Sequence, residues 1–380
     1  MSEGAAGPIR VLHVITGLGR GGAERMLYTV CAESRRRADA EPRRGAPIAH
    51  HVASLLPGGR YRPLLEGVGI HVTTVDAGQV WRFPAAVLAL ARLIRRERPD
   101  VLQAWMYHAN VAAALALMVI PKADRPRLIW GVRCSAMEVE RYSWRLRVTL
   151  ALHRLLRGLP DLTAVNSQAG RDDHLRLGLI VEPAPVIENG VDVESFAPAD
   201  AERRAAARRA LNAPDDAVVA LTLARVDPMK DYPLLIETAR RLPSVQFLAA
   251  GEGTERLEGP PNFRGLGARD DTATLLAAAD LLISCSAYGE GMSNSIAEAL
   301  AAGLPVAATD VGDAARLVGA AGRVVAPRDA DALAEAVGAL TADENARRAL
   351  GATAARRMRQ EFSISRAVDR FEALYRAGEG

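Results

Sequence analysis

Short apolar runs of β character alternate with helical patterns along the whole chain. The first half offers "IRVLHVI" (9–15), "PIAHHVASLL" (47–56), "IHVTTV" (70–75), "DVLQAW" (100–105), "RLIWGV" (127–132), "LTAVNS" (162–167) and "APVIEN" (184–189), with helical stretches such as 84–97 and 110–119 between them. Near-continuous apolar strands parted by helices signify a parallel sheet buried on both faces. After the turn-rich "VEPAPVIENGVDVESFAPAD" (181–200) the pattern restarts with "AVVALTLAR" (217–225), a helix near 232–242, "VQFLAAG" (245–251), "DLLISC" (280–285), a helix near 295–303 and "LPVAAT" (304–309). The expected fold is α/β: two doubly wound, Rossmann-like domains, 1–190 and 191–360, facing across a cleft. The last helical pattern, 331–377, breaks near "EFSIS" (361–365), so 361–380 is expected to form a terminal helix crossing back to the first domain. In open α/β sheets ligands bind beyond the carboxyl ends of the strands, and that edge is the expected site.

A length of 380 residues fits two domains better than one core. With 49% hydrophobic and 24% charged residues the composition is that of a globular protein. The three scattered cysteines, Cys31, Cys134 and Cys285, form no metal-ligand spacing and suit a reducing cytosol. "VAAALALMVI" (111–120) is too short to span a bilayer, and "MSEGAAGP" reads as a loose tail without the regions of a signal peptide. A cytoplasmic protein is expected. Charge divides unevenly: residues 1–180 carry 26 Lys+Arg against 15 Asp+Glu, a net +11, while 181–380 carry 22 against 30, a net −8. A basic half suits an anionic partner such as a membrane surface or a phosphorylated acceptor, and equally a solvated arginine-rich face.

Chemistry concentrates in three places. The first strand runs into Gly17-x-Gly19-x-x-Gly22, where backbone can approach a ligand and a new helix N-terminus favours negative charge. A dinucleotide site would want an acid at the end of the second strand, and "LLPGG" has none. In the second half, "ARVDPMKDYPLLI" sets Arg225 at a strand end and Lys230 just past a Pro-containing turn, where either the two clamp a diphosphate or Arg225 pairs with Asp227 or Asp231 and Lys230 is solvated. "YGEGMSNSIAEAL" (288–300) then puts Glu290 in a glycine-rich loop and Glu298 in the following helix. Ser295-x-x-Glu298 matches a capping box, so Glu298 either satisfies a helix start or faces a ligand. The loop between supplies glycines and short polar side chains at a helix tip, an anion cradle flanked by two carboxylates. A nucleotide sugar has hydroxyls on both sides of a diphosphate and suits that order.

These segments, with "GGAE" (21–24), "MYHAN" (106–110), "NSQAGRDDHLRLG" (166–178) and "VIENGVDVESFAP" (186–198), resemble the retaining family-4 glycosyltransferases of GT-B fold, in order and over nearly the whole chain. The resemblance implies a metal-independent transfer of a sugar from a nucleotide-diphosphate sugar to a hydroxyl acceptor, either a sugar, a glycan or a lipid-linked group. Synthesis of cell-surface polysaccharide or glycoconjugate is the implied setting. It requires no cofactor beyond the donor substrate and no nucleic acid. By the same resemblance Glu298 would bind ribose and Glu290 the donor sugar. Gly291, Met292, Ser293 and Asn294 would present donors to sugar and phosphate, and Arg225 and Lys230 would stabilise the departing diphosphate. Arg264 and Leu266 would lie against the base, Gly19, Gly21 and Gly22 would approach the phosphates, His108 would sit near the reacting centre, and Arg133 would meet the acceptor.

"DAD" (329–331) imitates a metal-binding motif but follows "VVAPR" and reads as a helix start. In "RYSWRLRVTLALHRLLRG" (141–158), Trp144, Val148, Ala151, Leu152 and Leu155 share one helical face while Arg147, His153, Arg154 and Arg157 gather opposite, with Leu146 and Leu150 intruding. Such a helix either lies on anionic lipid or packs as an ordinary surface helix. Two other readings compete with transfer: a noncatalytic nucleotide-sugar binder, and a Rossmann oxidoreductase, which lacks its ribose acid.

Overall fold

The structure, a computed structural model, describes residues 7–40, 46–78, 80–135, 138, 140, 143–214 and 216–377. Residues 1–6 of the expected N-terminal tail, and 141–142 of the basic stretch, lie outside these. The chain forms two compact units: 1–133 with 142–190 and 364–380, and 134–141 with 191–363.

The first unit runs β1 (Ile9–Ile15), α1 (Gly22–Ala40), β2 (Ile48–Ser54), α2 (Tyr61–Gly67), β3 (His71–Thr74), α3 (Phe83–Glu97), β4 (Val101–Trp105), α4 (Met106–Met118), β5 (Arg127–Val132), α5 (Trp144–Leu156), β6 (Leu162–Val165) and α6 (Gln168–Arg176). Among the described residues these strands make a six-stranded parallel sheet in the order β3-β2-β1-β4-β5-β6. Alternation along β1 sends Ile9, Val11 and Ile15 into one apolar layer and Leu12 and Val14 into the other, so both faces are covered.

The second unit contains α7 (Ala201–Ala210), β7 (Val218–Leu223), α8 (Tyr232–Arg241), β8 (Val245–Ala250), β9 (Phe263–Gly265), α9 (Thr272–Ala278), β10 (Leu281–Ser284), α10 (Asn294–Ala301), β11 (Val306–Thr309), α11 (Ala314–Val318), β12 (Gly322–Val325), α12 (Ala330–Thr341) and α13 (Glu344–Glu361). Its sheet, ordered β12-β11-β10-β7-β8-β9, has the same doubly wound topology, with the order reversing between β7 and β10. The final helix, α14 (Ile364–Arg376), belongs to the first unit, where Ala367, Phe371 and Tyr375 line one face at a spacing of four and join the β1–α1 layer. Arg37 pairs with Asp369 at 2.7 Å, and the Ser34 hydroxyl donates to Glu372 at 3.0 Å. The backbone of Ile364 passes within 2.6 Å of where a Cβ on Gly190 would stand, so that crossing needs a glycine.

Three expectations need correcting. "APVIEN" is no strand: Val186 makes an isolated bridge to Val165, because Pro183 and Pro185 carry no N–H and only accept, from Thr163 and Val165. The three- and four-residue edge strands β9 and β12 were not expected at all, being too short to show a period of two. Within α5 the inner face is the one containing Leu146, Leu150, His153 and Leu156, with His153 fully buried rather than on a solvated basic face. Truncating Phe371, which has no exposed surface, to alanine should cost the first unit about 3–5 kcal/mol, read from the denaturant midpoint. An unchanged midpoint would mean that α14 does not carry that layer.

Candidate functional site

The reversal of strand order in the second sheet leaves the loops after β7 and β10 diverging from neighbouring strand ends, the place where α/β folds bind ligands. The β7 loop is built by two aspartates. Asp227 accepts from Met229 N at 3.0 Å and opens a short 3-10 turn over 228–230, and Asp231, in the left-handed region at φ 44, caps α8 by accepting from Leu234 N. Lys230 is thereby fixed between two caps. The β10 loop is tied to it by Ala287 N donating to Met229 O at 2.8 Å and the Cys285 thiol to Lys230 O at 3.3 Å.

Lys230 and Glu290 form an ion pair, each side chain less than a fifth exposed. The Ser286 hydroxyl donates to the same Glu290 oxygen at 2.8 Å. Burial pushes the Glu290 carboxyl up, but the Lys230 charge, hydrogen bonds from Lys230 and Ser286, and the Arg225 charge outweigh it and hold it below the usual range. Arg225, half exposed, pairs with Asp227 at 2.9 Å. Lys230 is therefore not a solvated lysine, while Arg225 does take an aspartate. Gly312 fixes the loop from behind: at φ 63, a Cβ there would stand 2.3 Å from Glu290 O.

The helix after this loop starts two residues earlier than the capping-box reading requires. Ser293 is the N-cap of α10 and Asn294 its first residue, so Ser295 already lies inside the helix and Glu298 stands in the second turn, beyond a box. The Ser293 hydroxyl makes no cap bond and instead meets the Ser295 hydroxyl at 3.1 Å. Glu298 is 4% exposed, an acid kept inside the unit. The Met292 side chain joins the apolar core, which leaves its backbone as the part suited to a ligand. Arg264 and Leu266 are not drawn to this cluster: β9 is the far edge strand, Arg264 donates to Leu211 O, and Leu266 packs on the core.

In the first unit Gly19 is exposed with open space around its Cβ position, and Gly22 starts α1. The β2–α2 connection packs on this loop, since a Cβ on Gly59 (φ 99) would meet Leu18 O at 2.3 Å. At Gly21 a side chain would meet only the flexible Glu24 carboxylate. His108 is in the first turn of α4, held below its usual range by burial and so neutral at pH 7. That turn begins at Met106 with φ 71, a costly conformation for a side-chain-bearing residue. Its neighbours hold it: the Tyr107 hydroxyl and His174 Nε2 meet at 2.6 Å, and Asn110 exchanges bonds with Gly131. Arg133, half-buried, lies over Trp105 and Phe371.

Sequence spacing gave no hint of His13, Cys31 and His50, whose ligand atoms gather within 4.8 Å. Hydrogen bonding argues against a metal there. The Trp105 indole donates to His13 Nδ1 at 3.2 Å, which leaves the proton on Nε2 for His50 Nδ1 at 2.9 Å, so neither His13 nitrogen offers a lone pair. "DAD" is a helix start: Asp329 caps α12 by accepting from Ala332 N at 2.9 Å, and Asp331 pairs with Arg241.

Two doubly wound units, the second with cations and carboxylates at its switch point, define a protein of GT-B fold. Residues 20–195 match the family model described as Glycosyltransferase Family 4, and 217–343 that described as Glycosyl transferases group 1. The chain belongs to the family-4 glycosyltransferases. It is 35% identical over 219 residues to a D-inositol 3-phosphate glycosyltransferase of Geodermatophilus obscurus, covering 50% of this chain and 47% of that one. The Mycolicibacterium paratuberculosis protein of the same name is 33% identical over 210 residues, covering 50% and 46%. The chain thus spans about half the length of the curated relatives it matches. Anabaena HepE, solved with UDP-glucose, superposes at a TM-score of 0.81 with 23% identity, covering 97% of this chain and 99% of that one. Sucrose-phosphate synthase of Thermosynechococcus elongatus gives 0.78 with 19% identity, covering 97% and 98%.

The Glu290 carboxyl yields a pH test. A value depressed by folding means that its stabilisation is complete above the ordinary 4.5 and is lost as pH falls through the folded value. Lowering the pH from 6 to below 4 should therefore cost the wild type more unfolding free energy than a Lys230→Met/Glu290→Gln double variant. Equal losses in the two proteins would contradict the pairing.

Proposed function

We propose that this protein is a retaining glycosyltransferase that uses a nucleoside-diphosphate sugar, with the switch point of the second unit as its donor site. The observation that carries the reading is the Lys230–Glu290 pair beside a helix tip that its own N-cap serine leaves without a side-chain cap. A diphosphate there would draw on Lys230, Arg225 and the first-turn N–H groups of α10. Glu290 would accept hydrogen bonds from the transferred sugar, and Glu298 from the ribose. On the family resemblance alone we assign the base to the 264–266 edge, phosphate approach to the glycine loop at 19–22, the reacting centre to His108 and the acceptor to Arg133. In the transfer the bond from the anomeric carbon to the diphosphate oxygen breaks, the acceptor oxygen bonds on the same face, and its proton passes to the leaving phosphate. Lys230 then matters through charge built up on that phosphate, and no metal is required.

A second reading, contact with anionic membrane at the cytoplasmic face, draws support from α5. Trp144, Val148 and Leu155 are 57%, 48% and 76% exposed, with Arg145, Arg147 and Arg154 exposed beside them. No helix among the described residues is long and apolar enough to cross a membrane, so such contact would be peripheral. A lipid-linked acceptor would suit it.

A thermal-shift panel of nucleotide sugars, starting with UDP-glucose because HepE binds it, tests the donor site. Donor at 100 times its dissociation constant should add about 2.7 kcal/mol to the wild type. Lys230→Ala should lower turnover on the order of hundredfold or more, about 2.7–4 kcal/mol of barrier, with its fold intact. Glu298→Gln should mainly weaken donor binding, by roughly tenfold. Near-normal turnover in Lys230→Ala would refute the assignment. For the membrane reading, the protein should sediment with anionic vesicles at low salt, less so at high salt, and less again as Trp144→Ser/Leu155→Ser; indifference to both would dismiss it.

A further inference from the structure

Arg133, the residue after β5 of the first unit, carries a charge that no carboxylate among the described residues neutralises. Its guanidinium lies 5.3 Å from the centre of the Trp105 ring and 5.6 Å from that of Phe371. Nη2 donates to the neutral Asn189 Oδ1 at 2.5 Å, and Nε is buried with no acceptor. The contrast with Arg208 of the second unit is sharp, because that deeper arginine bonds Asp280 at 2.6 Å and the carbonyls of Ala278, Pro214 and Ala217. Burial holds Arg133 down to about 9, which still leaves it protonated at neutral pH. An uncompensated cation between two aromatic walls is costly to keep unless something supplies the missing charge.

Its position says where that charge would come from. β5 neighbours β4, whose far side is β1, so Arg133 stands one strand from the reversal of order in the first sheet and at its carboxyl edge. We propose that Arg133 anchors a phosphate-class oxyanion carried by the acceptor, which makes the acceptor anionic. The proposal rests on the glycosyltransferase reading for the word acceptor, and on the local geometry alone for the oxyanion. The net +11 of residues 1–180 would draw such a substrate in. The competing role is a bolt, a stacked cation that only fastens Phe371 of α14 to the strand ends.

Asn189→Asp separates the two, because it places a carboxylate on the atom that Arg133 already bonds. Inorganic phosphate is the probe, titrated calorimetrically against chloride at matched ionic strength in Lys230→Ala protein, which lacks the donor-site lysine. Phosphate affinity should fall at least tenfold in both Asn189→Asp and Arg133→Met, while Asn189→Asp melts at or above the temperature of its parent. Phosphate affinity unchanged in either variant, or no preference for phosphate over chloride in the parent, would overturn the proposal in favour of the bolt. The donor reading fails separately: a UDP-glucose shift missing from the Lys230-containing protein would remove the word acceptor and leave the phosphate result standing.

Discussion

An ion pair that is largely shielded from water has to be held by its backbone, because neither partner gains much if the other drifts. Lys230 and Glu290 come from different strand-to-helix loops, and the structure spends several contacts on keeping those loops in register. Two aspartate caps set the lysine, and Gly312 lets the next loop close against Glu290. The Ala287–Met229 backbone bond and the Cys285 thiol then join the two loops. A pair arranged this way keeps Glu290 ionised despite burial, so both charges are present before any ligand arrives. For the proposed donor site this would be preorganisation in a concrete sense: the lysine is already in place, and a bound anion would compete with one carboxylate.

The same topology serves both units, yet with opposite electrostatic solutions. In the second, a lysine and an arginine at the strand ends are each matched by an acid, within a half of the chain that is net acidic. In the first, the strand ends carry a neutral histidine, glycines and an arginine matched only by an amide. The balance of a whole segment is a weak guide to its site; what decides is which side chains the loops bring within hydrogen-bond reach.

Much of this was legible in the sequence because the strands are buried on both faces and read as unbroken apolar runs. Lys230 and Glu290, which the structure pairs, fall in two short segments that could be picked out by their residue types alone. Other features were not legible, for physical reasons. β9 and β12 are too short to display a period, and the prolines of 183–185 hide in an otherwise β-like run. The capping-box pattern at Ser295 was true of the letters and false of the helix, since the chain enters α10 at Asn294 with Ser293 as its cap. On α5 only His153 was misplaced, on the basic face, because Trp130 and Asn110 provide a ring partner and a hydrogen bond that let it replace a hydrocarbon in the core.

That last substitution bears on how the first unit works as a platform. Three histidines, His13, His153 and His174, are buried there and His50 beside them is half-buried; desolvation holds each neutral, and each has a ring nitrogen tied to a neighbour. Two of them, through Tyr107 and Asn110, brace the first turns of α4, and a third receives the indole N–H of Trp105, the residue before the strained Met106. Hydrogen bonds between neutral partners fix direction without adding charge, which apolar packing alone cannot do. The turn that carries His108 is thus oriented by a polar network while the field around it stays weak. Beside that neutral network, Arg133 at the neighbouring strand end brings a formal charge.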